Sequence, residues 1–141
     1  MGMIIFCFLL IYHFQLILFV IPLQKIEIMM DKSRQWNILC ARLSDLLGNE
    51  VNLNGMLFLI GVQELGFSYR DFSKEEKLDL IGLGTCKLFS LRGLCSEDGR
   101  DADNWPRWKK SDELEWFSED EKTELLQELA LEYFSDIIEL K

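Results

Sequence analysis

Apolar and polar positions divide this chain into two regimes. From Met3 to Leu23 almost every position is apolar, reading IIFCFLLIYHFQLILFVIPL after Met3. From Asp31 onward the pattern becomes the three-to-four spacing of amphipathic helices. Trp36, Leu39, Cys40, Leu43, Leu46 and Leu47 share one helical face and predict a helix over 33–47, closed by Gly48. Leu53–Leu65 follows, with an Asn before it as a cap and Gly66 after it. Its middle, Met56 to Val62, is apolar all round, as in a helix buried on every side. Gly61 within it suits close approach by a neighbouring helix, at about 1 kcal/mol in helix propensity.

Two further starts are marked by the S-x-x-E capping box. Ser73-Lys74-Glu75-Glu76 opens a helix carrying Leu78, Ile81, Thr85, Leu88 and Phe89. Gly82 and Gly84 are weak points in it, tolerable only where packing is tight. Ser118-Glu119-Asp120-Glu121 opens the last helix, whose stripe is Leu125, Leu126, Leu129, Ala130, Tyr133, Phe134, Ile137 and Ile138. Between them, from Leu91 to Phe117, no long periodic element is visible. The pattern predicts an all-α fold: a single small bundle of about four helices, with a long aromatic loop before the last helix and an apolar N-terminal segment ahead of the bundle. The division expected is 1–29 for the apolar leader and 30–141 for the helical domain.

The leader admits two readings. Met3 to Leu23 matches the roughly 20 residues of a transmembrane helix. No Lys or Arg precedes it, while Lys25, Lys32, Arg34 and Arg42 follow, which predicts a single-pass inner-membrane anchor with the N-terminus out and the domain in the cytoplasm. A cleaved signal peptide fits poorly, for want of a basic start and a small-residue cleavage site. The rival reading is a mis-assigned start, with translation beginning at Met29 or Met30. Both readings leave the domain in the cytoplasm, and membrane association is expected only if residues 1–23 are translated.

The net charge is −9. Lys25 and Glu27, the only charges before Asp31, cancel, so the domain carries it all. Such a domain repels phosphate backbones and anionic membrane surfaces, and no nucleic-acid partner is expected. Cys40, Cys86 and Cys95, an odd set without a C-x-x-C, read as reduced thiols. The sole histidine is His13, in the leader, so the domain lacks the base of Ser-His-Asp and Cys-His catalysis. Asp101-Ala102-Asp103-Asn104 begins like a calcium loop. Pro106 then occupies the sixth position, where Gly is needed, and Asp112 stands at the twelfth in place of Glu. Neither a metal nor another cofactor is expected.

The remaining candidate is aromatic. Trp105 and Trp108 flank Pro106 among charges, and tryptophan is enriched in binding hot spots. A groove is expected beside them near Glu64 and Gly66, with Trp105, Trp108, Asp101, Asp103 and Glu64 as binding residues and no catalytic residue. The competing expectation is that both rings are buried as cover for the bundle.

The segments LFLIGVQELGF (57–67), FSKEEKLDL (72–80), Cys86-Lys87-Leu88, D-x-D-x-W-P-x-W (101–108) and Glu132-Tyr133-Phe134 together resemble a small bacterial family with no assigned activity. The resemblance runs from about Asp31 to Phe134 and leaves out the leader. Asn104 stands where that pattern has Gly, and Arg107 where it has His, so no histidine-dependent role is implied. The function expected is a non-enzymatic cytosolic interaction or regulatory protein, with a possible protein partner. The alternatives are a membrane-anchored protein with the same cytoplasmic domain, or a metal-dependent enzyme built on carboxylates.

Overall fold

The computed structural model describes residues 25, 28–66 and 70–135. The apolar run 3–23, and with it the anchor, lies outside the described residues, as do Ile137 and Ile138. Among the described residues no helix is long and apolar enough to cross a membrane. The chain divides into two compact units between Gln35 and Trp36. The described part of the first is helical over 28–35, where Gln35 donates to Asp31 at 3.3 Å. Helical backbone thus begins ahead of the predicted start at Ser33.

The second unit is mostly helical, with four helices and one small sheet among the described residues. Helix α1 covers 36–47, and Gly48 takes the left-handed conformation at φ 71° that stops it. Helix α2 is Leu53–Leu65; the Asn52 side chain accepts from the Gly55 N–H, and Gly66 at φ 72° ends it. Helix α3 is Lys74–Ser90, and its capping box is complete in both directions between Ser73 and Glu76. Strands β1, Cys95–Arg100, and β2, Pro106–Lys110, form an antiparallel hairpin with an irregularity between Glu97 and Arg100. A 3-10 turn over Asp112–Trp116 leads to helix α4, Glu119–Tyr133, whose Ser118–Glu121 capping box is also complete.

The hairpin revises the expected loop. Its strands, CSEDGR and PRWKK, are short and polar, and β1 buries only its first residue. Such strands carry no period-two alternation of the kind that marks a half-buried strand. The stripe predicted for α1 also ends early: Leu39 and Leu43 are buried, but Leu46 and Leu47 are exposed.

Packing centres on α3, which meets α2, both strands and α4. No break occurs at its glycines. Gly61 of α2 and Gly84 of α3 are both buried, and they let the two backbones touch. A Cβ built on Gly61 would land on the Leu80 carbonyl oxygen. One built on Gly84 would land on the Leu57 carbonyl oxygen. Gly82, two residues earlier, faces open space. The main core joins Leu39, Met56, Ile60, Leu88, Leu94 and Leu129, drawn from every helix and the start of the hairpin. A satellite cluster, Leu65, Phe72 and Leu80, lies at the other end of α2.

Candidate functional site

The hairpin tip is built by one carboxylate. Asp101 Oδ1 accepts the N–H groups of both Asp103 and Trp105 at 2.9 Å, and the Asp101 N–H donates to the Trp105 carbonyl at 2.9 Å. Asp side chains commonly close turns in this way. Asn104 sits at φ 65°, a left-handed position that Gly and Asn adopt most readily. Arg100 donates to the Asn104 carbonyl at 2.9 Å, holding the tip from its other side. This network aims Trp105 and Trp108 at α3. Along β2 the side chains alternate, so Pro106 and Trp108 are half-buried while Arg107 and Lys109 are exposed.

Between the hairpin and α3 lies a groove of about 860 Å³. Trp105, Pro106 and Trp108 form its hairpin wall, with Asp101 and Asp103 at the tip. The opposite wall is one face of α3, from Leu78 and Asp79 through Gly82 and Leu83 to Cys86. Arg70 and Glu76 close one end. Arg70 forms a two-pronged pair with Glu76, at 2.6 and 3.1 Å, and lies over the Phe72 ring with 4.7 Å to its centroid. The Arg70 guanidinium, helped by the capping contact from Ser73, holds the Glu76 carboxyl below the ordinary glutamate value.

Both tryptophans are half-buried, between the two outcomes expected of them. Trp105 packs on the satellite cluster and Trp108 on the main core. The Trp108 indole N–H is buried and has no hydrogen-bond partner among the described residues. Leu78, facing them on α3, is 62% exposed.

Four of the five residues singled out from sequence are thus brought together: Trp105, Trp108, Asp101 and Asp103. Glu64 is not, and the expected position of the groove is corrected accordingly. Glu64 pairs with Lys87 at 3.4 Å and accepts from the Tyr133 hydroxyl at 3.5 Å. It therefore joins α2 to α3 and α4, away from the groove. The missing wall is α3, whose exposed Leu78 and Gly82 break its apolar stripe. Of the two, only Gly82 is a signal that a sequence reading could have used, since Leu78 fits the predicted stripe.

No family model, curated protein or solved structure matches this chain. Chemistry at the groove therefore rests on its own groups. Cys95 lies beside Cys86 at the back of the hairpin. Burial, reinforced by that neighbouring thiol, pushes the Cys95 thiol from an ordinary 9.0 up to about 12, so it stays protonated and a poor nucleophile near neutral pH. Burial raises the Cys40 thiol as well. Among the described residues no three His, Cys, Asp or Glu side chains converge as metal ligands. The Asp101 carboxylate is engaged with backbone N–H groups of its own turn.

Proposed function

We propose that the domain is a non-enzymatic interaction module that holds a protein partner in the groove between α3 and the hairpin. The observation that carries this reading is the pair of half-buried indoles, Trp105 and Trp108, facing the exposed Leu78 across an open channel. Half-buried aromatic rings give a partner a large contact area with few torsions to freeze. The turn at Asp101 and Asn104 and the ring of Pro106 set the rings in place before any partner arrives. The groups adjoining the groove favour binding over catalysis: a carboxylate used by its own turn and an arginine already paired.

A photoreactive amino acid in place of Leu78 tests the proposal in cells. A discrete adduct is expected, lost when Trp105→Ala is added. The same residue in place of Leu46, which is 72% exposed on α1, should give none. Equal adducts at both positions, or an adduct indifferent to Trp105→Ala, would count against a groove-borne partner.

A further inference from the structure

Five charged side chains line the groove: Arg70, Glu76, Asp79, Asp101 and Asp103. Arg70 and Glu76 cancel through their two-pronged pair. Asp79, Asp101 and Asp103 remain, and no described residue forms a salt bridge with any of them. The hairpin's cations do not relieve this excess. Arg107 and Lys109 lie on the exposed face of β2, Lys110 lies beside Cys95 and does not line the groove, and Arg100 is directed to the Asn104 carbonyl. The channel is therefore apolar and aromatic along its walls and negative along its margin.

Resting on the interaction reading above, we propose that the groove receives a basic segment of the partner protein, with a Lys or Arg stem across Trp105 and Trp108 and its cationic head at Asp79 and Asp103. A Lys or Arg side chain matches both halves of the channel. Its aliphatic stem packs on apolar surface such as Leu78 and Leu83, and its charged head reaches the wet margin. A cation over an indole face gains further from the ring quadrupole. An acidic segment meets three uncompensated carboxylates. A neutral apolar segment covers the walls but leaves the exposed carboxylates of the margin without a countercharge. Of the three, only the basic segment satisfies walls and margin together.

The test is an arrayed hexapeptide library, containing all residue types, probed with the fluorescently labelled full chain. Lys and Arg should be enriched about tenfold over Asp and Glu among bound peptides, as expected for a complementary charged surface. Because the whole chain carries −9, two double variants of equal charge change separate the groove from the overall field. Asp79→Asn with Asp103→Asn should remove most of the enrichment and its sensitivity to salt. Glu113→Gln with Glu115→Gln, on the exposed 3-10 turn, should leave both intact. Equal loss in the two variants, no loss in the first, or a library without Lys and Arg preference would overturn the proposal. Its failure is distinct from that of the interaction reading. If Leu78 cross-links to a segment poor in Lys and Arg, the basic-segment inference falls and the module stands. If no Trp105-dependent adduct forms, the module falls.

Discussion

The α2–α3 crossing and the groove beside it share one helix and treat it in opposite ways. At Gly84 the face of α3 is pressed against the Leu57 carbonyl, with no room for one added carbon. At Gly82, two residues away, the same helix looks into open space on the groove side. The same residue type thus serves packing at one position and leaves a surface clear at the other. One face of α3 is thus closed against α2, while the face bearing Gly82 is left open beside the hairpin.

Breaking the crossing should have the largest effect. Gly84→Ala or Gly61→Ala sets a methyl group against backbone, which cannot rotate away. A loss of about 3 kcal/mol is expected, at the upper end for overpacking, read from denaturant unfolding. Gly82→Ala sharpens the contrast: with nothing near its Cβ, it should gain up to about 1 kcal/mol from helix propensity alone. Equal effects at 82 and 84 would mean that the two faces of α3 do not differ as described.

The two tryptophans should separate next. Trp108 rests on the main core, so Trp108→Ala should cost about 2–3 kcal/mol, less than a fully buried ring. Trp108→Phe keeps most of the packing and removes the unpaired buried N–H, so a net change within about 1 kcal/mol is expected. Trp105→Ala, against the satellite cluster, should cost less than Trp108→Ala while abolishing the Leu78 adduct. Melting curves of the three variants give the order directly.

Alkaline pH probes the seam between helix and hairpin. The folded state holds the Cys95 thiol protonated to about 12, whereas the unfolded chain releases that proton near 9.0. Its contribution to stability is therefore full below 9.0 and drains away as pH rises toward about 12. A thermal midpoint that falls over this window, and falls less steeply in Cys95→Ala, is the expected result.

The smallest effect lies at the tip. Asn104→Gly should be tolerated to within a few tenths of a kcal/mol, because Gly also occupies φ 65° without strain. Asn104→Val should weaken the hairpin, since a β-branched residue resists that conformation. Loss of the Trp105 amide's protection from hydrogen exchange would report the change.

Local chemistry was legible where one segment contains its own explanation. Both capping boxes, the Asn52 cap and the left-handed Gly48 and Gly66 are settled within four residues of chain, and the structure has each of them. The close approach at Gly61 could be anticipated from a helix apolar on all sides, though not its partner Leu80. The hairpin was hidden because its pairing depends on a turn, while its strands show the composition of a solvated loop. Trp105 and Trp108 stand out as aromatic rings in a polar stretch, and the structure places them along one groove with Asp101 and Asp103. Glu64 was not legible as a structural residue, because its partners Lys87 and Tyr133 lie on other helices, far along the chain.

The glycine crossing also has a consequence in time. Its contacts join residues 57–84, a short span of chain, whereas α4 reaches back from Tyr133 to Glu64 of α2. Contacts that close short loops form early, because less chain entropy is lost before they are rewarded. The α2–α3 pair is therefore expected in the nucleus ahead of α4, with Gly84→Ala slowing refolding and α4 variants mainly hastening unfolding. On that schedule α4 docks after the pair has formed and leaves before it parts, so the Tyr133–Glu64 contact is among the first to open when the domain is stressed.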